Sequence, residues 1–125
     1  MLKILAVVPT EADALPAAFA SALAVKAEVR AIRSAEEVDA LMQDPAARPT
    51  LVLWPASISG MPLRDAAIAV MMVDARVHQC AVSEQDADAF HEDTEGLGFL
   101  PALKVRPDAE DAEALLTKLK ALGAF

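Results

Sequence analysis

The chain has 125 residues, 55% of them hydrophobic and 4% aromatic, with a formal net charge of −8 and a single cysteine, Cys80. That length suits one domain with a real core. The acidity repels phosphate backbones and anionic lipid surfaces, and the few aromatic rings leave no base-stacking platform, so neither nucleic acid nor membrane is expected as a partner. One thiol excludes an intrachain disulfide and fits a reducing cytoplasm. No apolar run reaches the roughly 18 residues of a membrane span, and Met1-Leu2-Lys3 leads into a strand-like run without a cleavage site, so no signal peptide is expected.

Leu2–Val8 is a β-branched and aliphatic run that stops at Pro9 and reads as a first strand. Thr10 and Asp13 then offer capping oxygens. With Asp13 as the cap, Pro16 falls in the first turn, where proline is tolerated, and the first helix runs from about Ala14 to Ala24 with Leu15, Phe19, Ala22 and Leu23 inward. Glu28–Ile32 alternates as a half-exposed edge strand does. Ser34-Ala35-Glu36-Glu37 is a capping box that opens a second helix through Met42, and Asp44-Pro45 stops it. Thr50-Leu51-Val52-Leu53-Trp54-Pro55 follows the breaker Pro49 and reads as a strand buried on both faces.

The loop from Ala56 to Pro62 leads to a third helix, about Leu63 to Asp74, with Leu63, Ala66, Ala67, Val70 and Met71 on one stripe and Ile68 and Met72 off it. Val77–Val82 reads as a fourth strand. Ser83 with Asp86 caps a short acidic helix that carries Phe90, and Gly96 and Gly98 punctuate the loop after it. Phe99–Val105 is expected as a fifth strand, at an edge because of Pro101. Asp108 caps a last helix whose early Glu110, Asp111 and Glu113 and late Lys118 and Lys120 complement the helix dipole, with Ala112, Leu115, Leu116, Leu119 and Leu122 inward. This alternation predicts a single α/β domain over residues 1–125, a doubly wound five-stranded parallel sheet with helices on both faces. In such sheets ligands and reacting groups sit just past the carboxyl ends of the strands. The third strand delivers Pro55 there, with no acid, base or nucleophile.

Three pieces carry a resemblance across essentially the whole chain: Lys3-Ile4-Leu5-Ala6-Val7-Val8, Leu51-Val52-Leu53-Trp54-Pro55 leading to Ser59-Gly60-Met61, and Val105-Arg106-Pro107 before the last helix. In order and spacing the chain resembles a receiver domain of bacterial two-component signalling, which implies the flavodoxin-like strand order 2-1-3-4-5. The resemblance places the family's metal-binding acids at Val8 and Pro9, its phosphoacceptor aspartate at Pro55, its switch hydroxyl at Ser83 and its lysine at Arg106. It also implies a cis bond between Arg106 and Pro107. Val8, Pro9 and Pro55 offer no side-chain oxygen to a Mg²⁺ ion, and proline cannot accept a phosphoryl group. Glu11 and Asp13 fit better as helix-start acids than as replacement ligands. The chain thus looks like a pseudoreceiver with no catalytic residue, no metal and no cofactor.

His78 and Cys80 share a strand face, but no further ligand stands near them in sequence, and two core side chains is the simpler reading. The acids around His91 read as a solvated helix face, and Gly96-Leu97-Gly98 lacks the rest of a phosphate-loop fingerprint. Met61, Ile68 and Met72 form either a partner surface or a face covered by neighbouring helices. The resemblance implies a second interaction surface near Phe90, Leu103 and Phe125, where protomers of the family pair.

The expectation is a non-enzymatic, phosphorylation-independent signalling or regulatory module that binds a protein partner or forms a homodimer, and acts as a stand-alone adaptor. The alternative is a small flavodoxin-like ligand-binding protein or enzyme with an anion site at the strand tips, near Ser83 and Arg106.

Overall fold

Strands β1 (Leu2–Val7), β2 (Ala27–Ile32), β3 (Leu51–Trp54) and β4 (His78–Ala81) lie parallel in the order β2-β1-β3-β4, in a computed structural model that describes residues 2–56, 58 and 60–124. Helices α1 (Ala17–Ala24), α2 (Ala35–Met42), α3 (Leu63–Val73), α4 (Ala87–Thr94) and α5 (Ala109–Ala121) cover its faces. Side chains alternate across a strand, so each central strand must feed two cores. Ile4, Ala6, Leu51, Leu53 and Cys80 point to one side and meet Phe19 and Leu23 of α1 and Leu115, Leu116 and Leu119 of α5. Leu5, Val7, Val52, Trp54 and Ala81 point to the other and meet Val38 and Met42 of α2, Ala66 and Val70 of α3, and Phe90 of α4. Fully burying one such side chain contributes about 1.5–3 kcal/mol, which is why the uninterrupted apolar runs of β1 and β3 end up in the centre.

The capping signals work as the sequence suggests at three helices. Ser34 Oγ accepts from the Glu37 N–H at 3.2 Å, Asp86 Oδ1 from the Ala89 N–H at 2.8 Å, and Asp108 and Asp111 form a reciprocal capping box at α5. At α1 the expectation is corrected. Helix α1 begins at Ala17, with Pro16 as its cap at ψ 141°. Asp13 ends a separate 3₁₀ turn, Glu11–Asp13, and its carboxylate accepts from Thr10 Oγ1 at 2.9 Å. The residue before a proline avoids the helical region, so Leu15 cannot continue a turn into Pro16.

The five-stranded expectation is corrected as well: among the described residues the ladder has four strands. Phe99–Val105 docks beside β4 through two isolated bridges, Gln79 with Phe99 and Val82 with Leu103. The bonds are Leu100 N–H to Gln79 O, Leu103 N–H to Ala81 O and Ser83 N–H to Leu103 O, each 2.9 Å. Pro101 has no N–H to give, and Phe99 to Leu103 advances one residue further than Gln79 to Val82. That surplus residue is a bulge that breaks the repeat.

Candidate functional site

At the carboxyl ends of β1 and β3 the chain places Val8 and Pro9, both half-buried, and Pro55, which is buried. Val8 N–H donates to Ile32 O at 2.7 Å, and Trp54, just before Pro55, accepts from Val82 N–H at 3.1 Å. A cavity of about 90 Å³ lies beside Pro55, lined in part by Asp13, Val82, Arg106 and Pro107; Val8 and Pro9 do not line it. The acids nearest in sequence are not gathered into a metal cradle. Glu11 is exposed, Asp13 is engaged by Thr10, and among the described residues no group of three metal-ligating side chains exists.

Ser83 and Arg106 do not share a cavity. Ser83 lines a separate groove on the far side of β4, where its Oγ accepts from the Gln85 N–H at 3.1 Å. Arg106 is exposed and stands at the rim of the small cavity. The cis expectation at Arg106–Pro107 is overturned, because the bond is trans. Arg106 itself takes φ 59°, a left-handed value that costs a non-glycine residue roughly 1–2 kcal/mol. The chain therefore turns at the Arg106 backbone and buries Pro107 with the peptide bond in its ordinary form.

Cys80 is fully buried. Desolvation pushes its thiol up to about 12, and its Sγ lies 3.5 Å from Pro101 O, so it is a core side chain without thiolate character. Gln79, beside it in sequence, is the one buried polar side chain among the described residues. Its Oε1 accepts from Trp54 Nε1 at 2.7 Å and its Nε2 donates to Ala67 O at 3.1 Å, joining β3, β4 and α3. The sequence reading passed over this pair. A glutamine in an otherwise apolar strand, one strand away from a tryptophan that needs an acceptor, was the available signal.

The surface candidates separate. On α3, Met72 is 81% exposed and Ile68 38%, whereas Met61 packs partly against the core beside α3 and α4. Phe90 and Leu103 are buried, so neither stands out as a contact residue. Both line a groove of about 730 Å³ between α4 and the Phe99–Val105 segment. Phe125 and Ser59 lie outside the described residues. Within the groove, Phe90 meets Phe99 edge to face at 5.8 Å.

Solved structures carry the same architecture. The chain superimposes on a two-component response regulator from Legionella pneumophila with a TM-score of 0.74 at 16% identity, over 97% of this chain and 99% of that one. It matches the chemotaxis response regulator CheY4 of Vibrio cholerae with a TM-score of 0.77 at 16% identity, over 95% and 98% of the two chains. The signal receiver domain of a DNA-binding response regulator from Colwellia psychrerythraea gives 0.74 at 16% identity, over 97% and 99%. The protein thus has the α/β fold of the response-regulator receiver domains, and at identities this low the likeness speaks for the fold. No known family profile matches the chain, nor does any curated protein sequence. Among the described residues, no helix is long and apolar enough to cross a membrane.

Proposed function

We propose that the protein is a phosphorylation-independent signalling or regulatory module that works by binding another protein. The observation that carries this reading is the chemistry at the strand tips: Val8, Pro9 and Pro55 stand where the resemblance to a receiver domain puts the metal and the phosphoryl group. None of the three has a side-chain oxygen, and a hard divalent ion does not shed water for an aliphatic wall. Loss of one acid would leave a weakened switch. Replacement of all three leaves a scaffold whose remaining asset is its surface, so control falls to partner binding and abundance. A net charge of −8 disfavours nucleic acid and anionic membrane as that partner. The lone buried thiol suits a reducing cytoplasm.

The test is an amide NMR titration with Mg²⁺ and beryllofluoride, a mimic of the acyl phosphate. The expected result is no saturable change at Trp54, Ala56 or Val82. Localised, saturable shifts there would overturn the reading.

A further inference from the structure

The edge of the sheet at β2 is built unlike the side beyond β4. It pairs with β1 in regular register over all 6 of its residues, with no bulge and no proline. Ile32 C=O accepts from Val8 N–H. Main-chain groups alternate along a strand, so Glu28, Arg30 and Ile32 turn toward β1, while Ala27, Val29 and Ala31 turn away from the sheet. Ala27 is buried, and Arg33 N–H, next in that outward row, already donates to Glu37 Oε1 at 3.2 Å. The open stretch therefore runs from Val29, half-buried, to Ala31, exposed. Two opposite charges flank its centre. Glu28 and Arg30 are exposed, lie on the same side of the sheet as Ile32, and have no ion-pair partner among the described residues. On the other side α1 packs against β2. From Ala17 to Val25 it carries no charged residue that would have to shed water on close approach.

We propose that β2 pairs with β2 of a second copy of this chain, antiparallel about a two-fold axis at Val29. Val29 then exchanges both main-chain bonds with Val29 of the second copy. Glu28 and Arg30 stand opposite Arg30 and Glu28 of the second copy, at the non-hydrogen-bonded positions where facing side chains come closest. The charge pattern selects this register. An axis at Glu28 would set Glu28 against Glu28, and an axis at Arg30 would set Arg30 against Arg30, both unfavourable. One acid and one base thus serve both halves of the contact, as a two-fold interface requires. A seam this short belongs to the small, transient class of interface. The contact goes beyond the reading above and is independent of the chemistry at the strand tips.

The test is sedimentation velocity on the full chain over a rising concentration series, with amide hydrogen exchange alongside. The expected result is a monomer–dimer equilibrium in which the Val29 amide gains protection as the dimer forms. The amides of Glu28 and Arg30, already bonded to β1, should keep theirs. Arg30→Glu sets acid against acid at both positions and Glu28→Arg sets base against base, so each should weaken association by about tenfold or more. Mixed in equal amounts, the two variants should associate as the unaltered chain does, and a chain carrying both changes should pair with itself again. This rescue separates lost complementarity from lost folding. A monomer at every concentration up to about 1 mM, a dimer indifferent to the single reversals, or a mixture that does not recover would overturn the proposal. So would protection gained at Ala102 or Lys104 in place of Val29, which would put the contact on the other side of the sheet. None of these outcomes bears on the Mg²⁺–beryllofluoride titration, so the two readings fail separately.

Discussion

Helices α5 and α4 lie against one sheet and are held in different ways. The 13 residues of α5 bury Ala112, Leu115, Leu116 and Leu119, pack along α1 and start in a closed capping box. The eight residues of α4 contribute Phe90 to the core and are otherwise tied by polar threads. Arg64 Nη1 donates to Asp93 O at 3.1 Å and Gln85 Nε2 to Asp93 Oδ2 at 2.6 Å, while cavities of about 730 and 370 Å³ flank the helix. The contrast teaches where stability is kept. The closed flank carries the fold, and the loosely held flank can open locally without loosening the rest.

The sharpest way to break that comparison is a pair of truncations. Leu119→Ala on α5 is expected to cost about 2–5 kcal/mol in urea unfolding, since the cavity it leaves cannot collapse. Phe90→Ala removes a larger side chain, yet it should cost only about 1–2 kcal/mol, because α4 can undock locally while the sheet stays intact. Hydrogen exchange should show protection lost in α4 alone. Equal costs would mean that both flanks belong to one cooperative unit.

Next in size is Gln79→Leu, which leaves the Trp54 N–H without an acceptor inside the core and is expected to cost about 1–3 kcal/mol. Trp54 is the only tryptophan, so its fluorescence reports the change directly. A neutral outcome would show that water or another acceptor reaches the indole.

Asp74, at the end of α3, sharpens the comparison on the face that α3 shares with α4. Hydrogen bonds from Arg76, with help from Arg48, bring its carboxyl down to about 2. A folded pKa below the unfolded value of about 3.9 gives stability that is present above that value and lost as pH falls toward 2. Asp74→Asn should flatten this part of the acid limb of a pH–stability curve, and an unchanged limb would remove Asp74 from the account. The smallest effect is expected at Met72→Ser, within about 0.5 kcal/mol, because the side chain touches little. A larger loss would show that this methionine packs against something in solution.

The sequence disclosed what is local. Strands β1 and β3 are legible because both faces need apolar residues, and Ser34, Asp86 and Asp108 are legible because a cap acts within three residues. At the strand tips the residue types alone are legible: Pro55 carries no carboxylate. What escaped depends on partners far along the chain. Whether Phe99–Val105 becomes a strand is decided by its phase against β4, which Pro101 alone could not reveal. The start of α1 turned on whether Asp13 would cap the helix or bind Thr10. The Gln79–Trp54 bond links residues that meet only after the sheet has formed, and the groove exists only once α4 stands beside the sheet edge.

The bulge at Pro101 has one more consequence. Sheets grow into fibres when each new strand repeats the lattice of the last. Here the segment beyond β4 is one residue out of phase, and its proline cannot donate to a neighbour. A copy arriving edge-on would inherit the fault and find its next bonds misaligned, so growth stops at the first layer. On this side the sheet is thus ended by a phase error rather than by a cover.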